Sequence, residues 1–82
     1  MPSPSVTLRD LRIGEQGVIV QIVQIDGSDS VAARLLEMGL LPGETVKMIG
    51  AAPMGDPIEF EVYGYRISLR QVESSRVCIE KT

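Results

Sequence analysis

Hydrophobic and polar residues alternate most regularly between positions 58 and 70, where two short runs flank a Tyr-Gly pair. A two-residue loop at this pair predicts a hairpin in which Phe60 faces Ile67 on one side of the sheet. The same register places Glu61 opposite Arg66 on the other side. Because a slip of one residue would break both the apolar and the charged pairing, the pattern predicts two antiparallel strands in this register.

Three further runs rich in β-branched and aliphatic residues predict the remaining strands. They cover residues 18–25, 45–49 and 76–80. In the first run the apolar residues change parity around Gln21, which predicts a bulge or a strong bend. Strands that curl around a small barrel need such a feature. In the last run we expect Val77 and Ile79 to point inward.

One segment has helical spacing instead. Val31, Leu35 and Met38 recur on one face, which predicts a helix from about Asp29 to Met38, with Ser28 as its N-cap. A short loop that begins at Asp26 joins the first long strand to this helix. We expect the helix to cover one open end of the sheet.

The predicted helix stops at a glycine. Gly39 suits the left-handed conformation that ends many helices, and Leu40 should then fold back onto Leu35. Pro42 and Gly43 fit the two central positions of a type II turn. The segment therefore predicts a helix, a forced stop and a tight turn into a strand.

Shorter segments connect these elements. Residues 50–57 contain two prolines and two glycines, which exclude regular structure and predict a loop of defined shape. Residues 71–75 predict a short turn, and residues 1–5 a disordered tail. Near the start of the chain, Thr7 is expected to cap a turn whose apolar residues meet the core. These residues are Leu8, Leu11 and Ile13.

The element order predicts a mostly-β domain: a small five-stranded antiparallel barrel with one helix inserted after the first strand. A chain of 82 residues allows one domain, which we place at residues 6–82. Aromatic residues make up only 4% of the chain, so the core must be mostly aliphatic.

Composition excludes several functions. The chain has no histidine and one cysteine, which leaves no Cys-His metal set, no histidine base and no internal disulfide. Its net charge of −3, with basic residues scattered among acidic ones, disfavours nucleic-acid binding. No apolar run reaches the length of a membrane span. We therefore expect a cytoplasmic protein that is not an enzyme and needs no cofactor.

Four segments carry a family resemblance. They are Leu8-x-x-Leu11-x-x-Gly14-x-x-Gly17, Arg34-Leu35-Leu36-Glu37-Met38-Gly39-Leu40-Leu41-Pro42-Gly43, Ala52-Pro53-Met54-Gly55-Asp56-Pro57 and Ile67-Ser68-Leu69-Arg70. In this order they resemble the FeoA family over nearly the whole chain. The resemblance implies an SH3-like barrel that takes part in bacterial ferrous iron uptake and acts on FeoB, a membrane permease with a cytosolic GTPase domain. The same fold forms the C-terminal domain of some iron-dependent repressors.

Two sets of residues are candidates for function. The predicted partner-binding residues are exposed or adaptable side chains at the helix end and the loop: Arg34, Met38, Leu40, Leu41 and Met54. The predicted structural residues shape the two turns: Gly39, Pro42, Gly43, Pro53, Gly55, Asp56 and Pro57. Arg34 either pairs with Glu37 or anchors a carboxylate of the partner.

Two other functions stay open at this point. Glu59, Glu61 and Cys78 could bind Fe²⁺ in a sensor or carrier, although the glutamates equally fit a solvated face paired with Arg66. A stand-alone regulatory domain related to the iron-dependent repressors is the second alternative. The sequence leaves open whether the chain forms a homo-oligomer.

Overall fold

The computed structural model describes residues 6–24 and 30–82. Its elements, in chain order, are β1 (Val6–Thr7), a 3₁₀ turn (Leu8–Asp10), β2 (Gln16–Ile22), α1 (Ser30–Glu37), β3 (Thr45–Ala51), β4 (Ile58–Val62), β5 (Tyr65–Leu69), α2 (Gln71–Ser74) and β6 (Val77–Lys81). The strands form one antiparallel sheet in the order β1-β6-β2-β3-β4-β5. This confirms a mostly-β fold with the helix α1 inserted after the first long strand.

The β4–β5 hairpin has the predicted register at every pair, including Phe60 with Ile67 and Glu61 with Arg66. Both loop residues have positive φ angles, 56° at Tyr63 and 81° at Gly64. A two-residue loop of this kind matches the twist of the flanking strands. The alternation of apolar and charged residues was therefore sufficient to predict this half of the sheet.

Two bulges bend the sheet. The pairing of β2 with β6 shifts between Ile19 and Gln21, which confirms the bulge predicted from the change of parity. A second shift, between Met48 and Gly50 in the pairing of β3 with β4, was not predicted. Bulges increase the local twist, so together they curl six short strands around one core.

The start of the chain differs from the prediction. Val6 pairs with Ile79 of β6, so β1 is a sixth strand where only a cap was expected. Thr7 occupies the N-cap position of the 3₁₀ turn, and Asp10 Oδ2 accepts its backbone N–H at 2.8 Å. Near this segment Ile13 is 72% exposed, so its predicted place in the core is wrong.

The core is one cluster of buried side chains drawn from the segment around the 3₁₀ turn, from helix α1 and its C-terminal turn, and from five strands. Its largest fully buried members are Phe60, Leu8, Ile19, Leu35, Leu40, Leu69, Val46 and Val77. Gly17 lies against it, since an added Cβ would come within 2.5 Å of Ile79 Cδ1. The inward orientation of Val77 and Ile79 is confirmed.

Helix α1 ends as predicted. Gly39 has a φ angle of 92°, and its N–H donates to the carbonyl of Leu36 at 3.0 Å. The N–H of Leu40 donates to the carbonyl of Leu35 at 3.2 Å, which completes the two-bond pattern of a glycine-terminated helix. Leu35 and Leu40 are both fully buried. The predicted N-cap at Ser28 and the predicted tail at residues 1–5 lie outside the described residues.

Candidate functional site

An ion pair joins the two helices. Arg34 Nη2 of α1 pairs with Glu73 Oε2 of α2, rather than with Glu37 of its own helix. The other carboxylate oxygen, Glu73 Oε1, accepts the backbone N–H of Arg70 at 2.8 Å. Because Glu73 is only 5% exposed, these two bonds compensate the burial of its charge.

A groove of about 320 Å³ lies between the helices, and Val31, Arg34, Arg70, Val72 and Glu73 line it. Val72 is 69% exposed, which leaves an aliphatic side chain at the rim. Since Glu73 is buried and paired, the described residues that line the accessible part of the groove are two valines and two arginines. Such a surface suits contact with another protein better than catalysis.

The β3–β4 loop is held against the start of α2. Gln71 donates its backbone N–H to Asp56 Oδ1 at 3.1 Å and its side-chain Nε2 to the carbonyl of Gly55 at 2.8 Å. Within the loop, Gly55 N–H donates to the carbonyl of Ala52 at 2.7 Å, and Gly55 has a φ angle of 82°. The loop therefore has the defined shape that was predicted. It presents Met54, which is 90% exposed.

A second hollow, lined by Asp56, Pro57 and Arg70, adjoins this loop and shares Arg70 with the groove. The groove and the loop thus form one continuous area. We call it the helix–loop surface and define it by five residues: Val31, Arg34, Met54, Arg70 and Val72.

Among the predicted partner-binding residues, two lie on this surface: Arg34 and Met54. Leu40 is fully buried, so its assignment to a partner contact is wrong and it belongs to the core. Met38 is half-buried and packs against the core. Leu41 is 45% exposed but lines neither the groove nor the hollow.

Leu41 begins the tight turn that leads into β3. Glu44 N–H donates to the carbonyl of Leu41 at 3.1 Å, and Gly43 has a φ angle of 94°, as expected for the predicted type II turn. Two further hydrogen bonds, each of 2.8 Å, join this turn to β2: the N–H of Ile19 donates to the carbonyl of Glu44, and the N–H of Gly43 donates to the carbonyl of Ile19. Leu41 therefore precedes β3, whereas Met54 follows it. A strand of seven residues, about 20 Å long, separates them.

The sequence did not indicate Val72, Arg70 or Glu73. Helix α2 has only four residues, too few to show helical periodicity. The spacing of Arg70 and Glu73 was the available signal, since a glutamate three residues after a helix start often binds the backbone there.

The structure does not support the metal-binding alternative with a set of ligands. Residues 6–24 and 30–82 contain no group of three or more His, Cys, Asp or Glu side chains close enough to hold an ion. Glu61 faces Lys47 on one side and Arg66 on the other, which fits the solvated face. Cys78 is a half-buried free thiol. Within the same residues, no helix is both long and apolar enough to cross a membrane.

Comparison with known proteins identifies the family to which this fold belongs. The family model described as FeoA domain matches residues 6–81. The chain belongs to the FeoA family. A curated relative, the Fe(2+) transport protein A/Fe(2+) transporter FeoB fusion protein of Porphyromonas gingivalis, is 33% identical over 73 residues. That alignment covers 89% of this FeoA-family chain but only 8% of the relative.

Solved structures agree with the family. FeoA of Stenotrophomonas maltophilia, complexed with zinc and described as a prokaryotic SH3 domain protein, has a TM-score of 0.82 at 32% identity, covering 92% of this chain and 89% of that one. This confirms the SH3-like fold. A manganese-dependent transcriptional repressor shares the fold alone, with a TM-score of 0.85 at 13% identity over 39% of its length.

Proposed function

We propose that this FeoA-family chain is a non-enzymatic accessory protein of ferrous iron uptake, which binds a FeoB-type permease in the cytoplasm and modulates it. One observation carries the proposal: in the Porphyromonas gingivalis relative, a region similar to this chain is part of one polypeptide with a FeoB transporter. Covalent fusion keeps two domains at high effective concentration, which favours even a weak contact between them. The Stenotrophomonas maltophilia relative is likewise described as a candidate activating factor for ferrous iron transport.

We further propose the helix–loop surface as the contact. Met54 and Val72 are the apolar side chains it exposes most, at 90% and 69%. Arg34 and Arg70 line the groove with Val72, and Arg70 also lines the hollow beside the loop, so the surface combines apolar anchors with a charged rim, as protein interfaces do. Its loop is held by hydrogen bonds to Gln71, which lowers the entropy cost of binding.

Leu41 is the anchor of a separate and smaller contact. It is 45% exposed, and neither Arg34 nor Arg70 belongs to its turn. We therefore expect charge at Leu41 to weaken binding less than charge at Met54 or Val72.

Binding to the purified FeoB-type permease of the same organism, solubilised in detergent, tests the proposal. Met54→Glu and Val72→Glu should each weaken binding by about tenfold or more, because each places a carboxylate in an apolar contact. Leu41→Glu should have a smaller effect. Val20→Glu is the matched control, since Val20 is 48% exposed on β2 and outside both contacts. Circular dichroism verifies that each variant is folded.

The outcomes separate the partner from the surface. If the wild-type chain does not bind the permease, the permease is not its partner. If Met54→Glu, Val72→Glu and Leu41→Glu all bind as tightly as the control Val20→Glu, neither the helix–loop surface nor Leu41 contacts the permease. Modulation is read separately, as a change in GTP hydrolysis by the permease when the wild-type chain is added, and an unchanged rate would contradict a regulatory role.

A further inference from the structure

Strand β5 lies at one end of the sheet order and pairs only with β4 among the residues described. In a two-residue hairpin the residues flanking the loop, Val62 and Tyr65, form a hydrogen-bonded pair, and such pairs recur at every second residue. The main-chain groups of Tyr65, Ile67 and Leu69 therefore point toward β4. Those of Arg66 and Ser68 point away from it, toward the open edge.

This edge is accessible. Tyr65 is 73% exposed, Arg66 and Ser68 are also exposed, and only Leu69 is fully buried. Within residues 6–24 and 30–82, no hydrogen bond joins the outward groups of Arg66 or Ser68 to another segment. The pairing of β5 has no bulge, and the strand has no proline. It thus lacks two common features that protect an edge from added strands. The opposite edge, β1, has only two residues.

The side chains define what fits beside β5. On the outer face, Lys47, Glu61 and Arg66 lie in one row across β3, β4 and β5. The charges in this row alternate in sign and end at the open edge with a positive one. An acidic residue at the next position would continue the alternation and pair with Arg66. On the inner face, Tyr65 and half-buried Ile67 favour apolar neighbours.

A second copy of the chain fits less well. Antiparallel pairing of two β5 strands around Ile67 would place Arg66 opposite Ser68 of the other copy. The two Arg66 side chains, one from each copy, would then be diagonal neighbours on the same face of the sheet. The second copy would add no acidic residue between them. Like charges on neighbouring strands are destabilising.

We propose that the edge of β5 binds an extended segment of a partner protein by antiparallel strand addition, and that this segment alternates apolar and acidic residues. Main-chain bonds to Arg66 and Ser68 hold the segment, its acidic residues face Arg66, and its apolar residues cover Ile67 and Tyr65. The inference is independent of the helix–loop surface and of the identity of the permease.

A tethered probe tests this directly. The segment Val-Glu-Ile-Glu-Val is appended after Thr82 through a Gly/Ser linker of about 20 residues, whose mean reach of about 25 Å is comparable with the size of the domain. Tethering keeps a weak ligand at about millimolar effective concentration. The matched probe, Val-Lys-Ile-Lys-Val, differs only in charge.

Amide hydrogen exchange measured by NMR is the readout. With the acidic probe, the amide hydrogens of Arg66 and Ser68 should exchange about tenfold more slowly than in the chain without a probe, and the lysine probe should protect them less. Arg66→Glu should reverse the preference between the two probes.

Two variants at one position control for the main-chain bonds. Ser68→Pro removes an outward N–H but no bond to β4, so an edge strand tolerates it. It should abolish protection at Arg66, whereas Ser68→Ala should preserve it. Equal protection by both probes, or protection that survives in Ser68→Pro, would overturn the proposal. So would a concentration-dependent dimer of the unmodified chain that Ser68→Pro dissolves, since the occupant would then be a second copy.

Discussion

At the scale of single residues, Gly39 decides where helix α1 ends. Its φ angle of 92° lies in the left-handed region, and apart from its two chain neighbours no residue in the described part of the chain comes within 4 Å of the position a Cβ would take. A substitution there therefore meets no steric clash, and its cost is conformational. Because the two hydrogen bonds that follow depend on this backbone shape, the glycine also places Leu40 in the core.

Gly39→Ala should lower the free energy of unfolding by about 1–2 kcal/mol, the usual penalty for a Cβ in left-handed backbone. Gly39→Asn should cost less, because asparagine tolerates this conformation. Urea unfolding followed by circular dichroism measures both. If the alanine variant were as stable as the asparagine variant, relief of backbone strain would not be the reason for a glycine at position 39.

The neighbours Leu40 and Leu41 show how far sequence reasoning reaches at this scale. The position after a glycine stop folds back onto the helix, and this rule correctly predicts that Leu40 contacts Leu35. The same rule should have excluded Leu40 from any docking surface, since a side chain that completes the core is not available to a partner. Only Leu41, at 45% exposure, remains accessible.

At the scale of elements, the contact between α1 and α2 depends on Glu73. This residue is 5% exposed and combines two roles: its Oε1 accepts the N–H of Arg70, and its Oε2 pairs with Arg34. The Arg34 side chain is 58% exposed, so solvent screens the ion pair from one side. The hydrogen bond from Arg70 should therefore contribute more to stability than the ion pair.

We expect Glu73→Ala to lower the free energy of unfolding by about 1.5–3 kcal/mol, because a hydrogen bond to a charged acceptor is lost. Glu73→Gln retains an acceptor for Arg70 and should cost less. Arg34→Ala should cost about 1 kcal/mol or less. Urea unfolding of the three variants gives the ranking. An Arg34→Ala variant less stable than Glu73→Ala would contradict it.

Elements with a repeated pattern were predictable, and those without one were not. Alternation over β4 and β5 specified strand, register and turn together. Helix α2 contains a single turn, and β1 only two residues, so neither shows a period that a pattern can reveal. Both form because longer elements position them: β6 pairs with β1, and the β3–β4 loop binds Gln71.

At the scale of the whole molecule, the helix–loop surface joins three segments that are distant in the sequence. The sequence suggested Arg34 and Met54 separately, but their proximity to Val72 depends on α2, which links α1 to the β3–β4 loop. The sequence also grouped Leu41 with Met54, although strand β3 separates them. Such relations depend on how the sheet curls, and its second bulge, between Met48 and Gly50, had no signal in the pattern.

The whole domain shares one hydrophobic core, and this predicts how it unfolds. Leu35 of α1 and Phe60 of β4 are both fully buried in the same cluster. Leu35→Ala should therefore lower the global free energy of unfolding by about 2–5 kcal/mol, rather than only release the helix. Leu36→Ala is the matched control on the same helix, where Leu36 is 37% exposed, and should cost much less.

Amide hydrogen exchange distinguishes global unfolding from local release of α1. If helix and sheet unfold together, Leu35→Ala should speed exchange at Phe60 by the factor that corresponds to its loss of stability in urea, about tenfold for each 1.4 kcal/mol. Exchange in α1 should rise in parallel. Faster exchange in α1 with an unchanged rate at Phe60 would show that the helix opens alone. The groove between α1 and α2 would then be a mobile feature of the domain, and a partner that binds there would first have to hold α1 in place.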